Sequence, residues 1–106
     1  LEEITDSVLS QFKSRMHISH SVEDNNLKRL LSFSVAVIKN RCGDFTIDGE
    51  KETDKLATEL VFERSRYAYN DAVEFFEDNF LSDLTSLGIA LIPETTTTTT
   101  TTSGGG

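Results

Sequence analysis

Between Thr53 and Phe80 the apolar residues fall on two lines of a helix, where a helix in a small bundle needs one. On a wheel of about 100° per residue, one line carries Ala57, Val61, Ala68, Ala72 and Phe75, flanked by Leu56, Leu60 and Tyr67. The second, about 120° round, carries Phe62, Tyr69, Val73, Phe76 and Phe80. The polar face between them is narrow: Glu59, Glu63, Arg66, Asn70, Glu74 and Glu77. A helix that is apolar round most of its circumference is buried on more than one side. A chain of 106 residues has few other elements to cover a second stripe. The pattern therefore predicts a long helix to about Asp78 whose second stripe meets a short following helix and a neighbouring subunit. A wholly intrachain core is the alternative. Arg64 and Asp71 intrude near the first stripe, two turns apart, and need partners on another helix or another chain.

Two earlier stretches are amphipathic in the ordinary way. Leu1, Ile4, Val8, Phe12 and Met16 recur at three- and four-residue spacing and predict a first helix. Ser21 with Asp24 three residues later reads as a capping box, which starts a second helix near Val22. Leu27, Leu30, Leu31, Val35 and Ile38 form its buried stripe, with Lys28, Arg29, Ser32, Lys39 and Asn40 opposite and Gly43 as its stop. Residues 44–53, "DFTIDGEKET", break the period and read as a polar loop or small hairpin projecting into solvent. Thr53 or Asp54 is the expected cap of helix three. After a bend at Asn79, "FLSDLTSL" predicts a short helix closed by Gly88, and "IALI" an extended segment stopped by Pro93. Eight threonines, Thr95–Thr102, and "SGGG" follow; β-branched threonine favours extended structure, and the tract builds no core of its own. The expected fold is all-α. It is a small three-helix bundle with a short C-terminal helix in residues 1–92, and an extended low-complexity tail over 93–106.

Composition narrows the function classes. The chain is 26% charged and 37% hydrophobic, which suits a folded domain. Its net charge of −8 argues against gripping a phosphate backbone, which requires lysine and arginine in excess. Cys42 is the only cysteine, so no disulfide closes within the chain. No apolar run approaches a membrane span, and the first residues lack the basic-then-apolar pattern of a secretory leader.

Catalytic readings fare poorly. Asp71, Glu74, Glu77 and Asp78 cluster in sequence, but acid–base work needs carboxylates in contrasting environments, and Glu74 and Glu77 fall on the solvent face. His17 and His20 lie in an inter-helix loop with no second cluster of metal ligands. Cys42 falls by the buried stripe of helix two, where packing is its expected role. Lys13, Arg15, Lys28, Arg29, Lys39 and Arg41 would make only a modest basic patch, and the acidic third helix is unlike a DNA-recognition helix.

The order of elements carries a resemblance. "MHISHSVEDNNLKRLL", a helix ending in "IKNRCG", a variable loop and "RSRYAYNDAVEFFEDNFLSDLTSLGI" follow one another. Over residues 1–92 this resembles the head–tail connector proteins (adaptor, or head-completion, proteins) of long-tailed bacteriophages, in the form found in phages of Gram-positive hosts. The resemblance implies a structural virion protein of the neck, assembled in the host cytoplasm, with no enzymatic activity, cofactor, metal or membrane partner. It implies a homo-oligomeric ring of about twelve copies between the portal protein and the stopper or tail protein, through which DNA passes without specific binding. Subunit contacts are then expected at Phe62, Arg64, Tyr69, Asp71, Val73, Phe76 and Phe80. Portal or stopper contacts are expected in the loop, at Asp44, Phe45, Thr46, Ile47 and Asp48, and near the C-terminus, at Leu84, Leu87, Ile89, Leu91 and Ile92. Glu59, Glu63, Glu74 and Glu77 would face the lumen. The competing expectation is a small acidic helical regulatory module that sequesters a protein partner.

Overall fold

The computed structural model describes residues 3–93 and is compact and all-helical. Leu1 and the tail from residue 94, Thr95–Thr102 included, lie outside the described residues. The helices are α1 (Asp6–Met16), α2 (Asp24–Cys42), α3 (Glu52–Tyr69), α4 (Phe76–Asn79) and α5 (Leu81–Ala90), with a 3-10 turn over Val73–Phe75 ahead of α4. No strand forms among these residues. The α2–α3 pair is the spine; α1 packs on one flank, and the segment after α3 folds back so that α5 closes against both. Phe12, Leu27, Leu31, Val35, Ile38, Leu60, Val61, Leu84 and Leu87 fill the core.

Local chemistry explains the boundaries. Thr5 Oγ1 accepts the Val8 N–H at 3.2 Å and starts α1. Ile4 and Leu9, on either side of this start, are both buried, as in a hydrophobic staple. At the other end His17 adopts φ 60°, and the N–H groups of His17 and Ile18 bond Ser14 and Lys13 carbonyls. This is a Schellman motif, which satisfies carbonyls the helix leaves open. The expected capping box does not form. Asp24 gives its carboxylate to Lys13 Nζ at 2.6 Å, a charge-assisted bond across to α1, and α2 starts at Asp24 with Val22 exposed. Ser32 is buried, not solvent-facing, because α1 runs along that flank of α2, where Lys28 pairs with Asp6.

The 44–51 segment is a docked loop and not a projecting hairpin. Phe45 is buried, and Asp54, itself buried in the first turn of α3, accepts the N–H groups of Thr46 (2.9 Å) and Lys51 (3.3 Å). Asp54 does cap helix three, but from three residues inside it. Asp48 (φ 59°) donates its N–H to Thr58 Oγ1 at 2.8 Å, so the turn is tied to α3 twice.

The largest departure concerns helix three. It ends at Tyr69, about nine residues before the expected limit near Asp78. Asp71 takes φ 57°, its N–H bonds the Ala68 carbonyl at 3.1 Å, and the Ala72 N–H bonds the Tyr67 carbonyl at 2.8 Å. The Asn70 side chain caps the Arg66 carbonyl at 2.9 Å. This is the same Schellman stop seen at His17, here with Asp71 in the left-handed region that aspartate tolerates. The two stripes read on a single straight wheel therefore do not extend past Tyr69. Downstream, α5 runs through Gly88 and Ile89 to Ala90, because Leu84, Leu87 and Leu91 continue one apolar line; the first half of "IALI" is helical and the second half a turn, not an extended segment.

Candidate interaction surface

The residues expected at a subunit contact are placed mostly by the turn at Asp71. It swings Phe76 and Phe80 back onto Tyr67, with centroids 5.9 and 5.7 Å away. Phe76 is buried and Phe80 half-buried inside the chain. Phe62 is buried too, 5.9 Å from Phe12 and beneath the Arg15 guanidinium. Much of the supposed second stripe is thus covered intramolecularly. The reason is geometric: the chain reverses where a straight helix would have left those rings outside. Val73 is half-buried in the 3-10 turn. Tyr69 donates its hydroxyl to Glu23 Oε2 at 3.0 Å, and that bond holds the phenol above its ordinary pKa. Asp71 is exposed.

Arg64 is different. Its guanidinium lies 5.4 Å over the ring of Phe33, which is 53% exposed on α2. Its Nη1 reaches Ser34 Oγ at 3.3 Å, beside the buried Ser34–Ser65 hydroxyl pair at 2.9 Å. Burial lowers its pKa below the arginine norm. Neither Phe33 nor the two serines was legible as part of a site; serines at helical spacing give no signal by themselves.

The loop residues are similarly divided. Asp44 is exposed and pairs with Lys39 at 3.4 Å, whose ammonium lies 5.5 Å over the Phe45 ring. Thr46 is exposed but tied by its N–H, Ile47 is half-buried, and Asp48 accepts Gln11 Nε2 at 3.2 Å. In α5, Leu84 and Leu87 are fully buried and cannot be contact residues without unfolding the helix. Leu91 is half-buried, its Cβ lying where a side chain at Gly43 (φ 129°) would collide with it. Ile89 and Ile92 are exposed, and Leu81, absent from the sequence-based expectation, joins them.

The acidic residues do not make one solvated strip. Arg15 is clasped by Glu59 at 2.7 Å and Glu63 at 2.8 Å, and Glu63 also binds Arg66 at 2.6 Å. Burial works against the ionised Glu63, but the bonds from Arg66 and Arg15 outweigh it and hold its pKa below the glutamate norm. Glu77 pairs with Arg41 at 2.8 Å, whereas Glu74 is exposed. Cys42 donates its thiol to the Leu84 carbonyl at 3.3 Å, and burial raises its pKa, which suits a packing role. Among the described residues no three of His, Cys, Asp and Glu converge as a metal's ligand set. An open groove of about 530 Å³ lies between α1 and the start of α2, but Lys13 and Asp24 in its wall are spent on each other. No helix among the described residues is long and apolar enough to cross a membrane.

In comparisons with known proteins, no protein-family model, curated protein or solved structure matches the chain.

Proposed function

We propose that the chain is a structural subunit of a tailed-phage neck, an adaptor ring between portal and stopper or tail, as its sequence resemblance suggests. The observation that carries the reading is the outer face of α5. Leu84 and Leu87 on its inner face already complete the core, yet Leu81, Ile89 and Ile92 stand 49%, 65% and 47% exposed. Asp83 is the one charged residue from Leu81 to Ile92. Leu81 and Ile89 on α5, with Ile92 just past its end, leave large apolar side chains uncovered among Ser82, Thr85 and Ser86, and another protein covering them would remove that surface from water. The body behind it is capped at its helix ends and its loop is docked on α3. The acidic-sequestering alternative is weakened because Glu59, Glu63 and Glu77 are already neutralised by arginines of the same chain. In the ring reading those three residues stabilise the subunit itself.

Cross-linking mass spectrometry on intact particles of the phage tests the reading. Cross-links from the α5 face to portal or stopper are expected. Absence of the chain from purified particles, or its presence only in infected-cell extract, overturns it. Ile89→Asp with Ile92→Asp should abolish incorporation while leaving the isolated subunit folded.

A further inference from the structure

Among the described residues, every half-buried lysine or arginine has a carboxylate within reach except one. Lys13 has Asp24, Arg15 has Glu59 and Glu63, Lys28 has Asp6, Lys39 has Asp44, and Arg66 has Glu63. Arg64 has a single 3.3 Å bond to Ser34 Oγ and the exposed face of Phe33. A guanidinium carries five donors in a planar fork shaped for a carboxylate, and most of that fork is unused here. In a chain with 18 acidic and 10 basic side chains, leaving this partly desolvated cation without a carboxylate is a cost that one hydroxyl bond and one ring face offset only in part. Arginine stacked on an exposed aromatic ring is the composition of an interface anchor.

The same chain carries a complementary surface. Glu74 and Asp78 are exposed and unpaired among the described residues, and they alternate with Phe75 (57% exposed) and Leu81 (49%). We propose that the Arg64–Phe33 site docks the acidic, aromatic segment 74–81 of a second copy of this chain. The docked carboxylate takes the free fork of Arg64 while Phe75 covers Phe33. Each copy has one cationic and one acidic patch, so the contact repeats from copy to copy and closes where the rotation permits. This rests on the assembly reading above and names the residues that would join its subunits.

Sedimentation velocity and native mass spectrometry of the full chain, across its soluble concentration range, test the proposal. Arg64→Glu should weaken self-association by about tenfold or more, the scale of a close interfacial charge pair. The double variant Glu74→Lys with Asp78→Lys changes only exposed positions, so it folds even if Arg64→Glu does not, and it should weaken association equally. Mixing the two variants should restore association between them. Self-association of Arg64→Glu equal to the parent chain's overturns the proposal, as does a parent chain monomeric at every concentration. Rings on the portal that are indifferent to both variants overturn the proposal and leave the connector reading intact. Charge-dependent association that stops at a closed pair supports the Arg64 contact and removes the connector reading.

Discussion

The ring of Phe76 stacks on that of Phe80 with centroids 5.0 Å apart and 25° between planes, and both meet Tyr67 edge-on. This trio latches the segment after α3 back onto the helix it has just left. Aromatic pairs in such geometry contribute beyond the area they bury. Phe76→Ala should therefore lower stability by about 3–5 kcal/mol, read as a shift in the urea midpoint of the isolated chain. Phe76→Glu should fail to fold at any concentration. A well-folded monomer that merely assembles poorly would return Phe76 to the subunit interface.

Asp71 stands at φ 57°, in the left-handed region, directly after Asn70. Such a backbone costs a non-glycine residue about 1 kcal/mol or more, less for aspartate than for branched residues. Asp71→Gly should stabilise the fold by up to about 1 kcal/mol, and Asp71→Val should destabilise it. Thermal unfolding of the two variants side by side decides the matter. Destabilisation by glycine would mean that the aspartate side chain, not the backbone, holds the turn.

Asp54 is buried and accepts N–H groups from Thr46 and Lys51. Asp54→Ala leaves both donors without their acceptor, at a cost of about 2–3 kcal/mol. The effect should be local first: amide exchange at Thr46 and Asp48 should accelerate more than exchange in α2. Gly49→Ala should act on the same joint, because its new Cβ would press against the Asp54 carboxylate. Uniform acceleration across the chain would show that the loop has no separate stability.

The helical class, α2 and its stripe were legible because Leu27, Leu31, Val35 and Ile38 repeat with the helical period and Gly43 ends them. The end of α3 was not, because Ala72, Val73 and Phe76 continue the same period straight through the turn. The only local sign was Asn70-Asp71, a weak stop that becomes decisive when Tyr67 can gather Phe76 and Phe80. The docking of loop 44–51 depended on Asp54 and Thr58 reaching across sequence gaps of eight and ten residues, which periodicity does not register. Arg64 was legible as a charge in need of a partner; that Phe33 lies beneath it follows only from the pairing of α2 with α3.

Glu63 gives the clearest pH signature. Its carboxylate is held by Arg66 at 2.6 Å and Arg15 at 2.8 Å, and despite partial burial its folded pKa lies below the ordinary value of about 4.3. A depressed folded pKa means that the unfolded chain takes up the proton first as pH falls. The contribution is therefore fully present above the ordinary glutamate value and is lost as pH drops through the folded one. Glu63→Gln removes this titration while keeping the side chain's shape. The variant should be less stable than the parent at pH 7, and the gap should narrow as the pH is lowered from about 5 to about 3. Urea midpoints of parent and variant at matched pH give the difference directly, so carboxylates common to both, Glu59 among them, largely cancel. A gap that stays constant with pH would show that neither arginine favours the charged form of Glu63 over the neutral one.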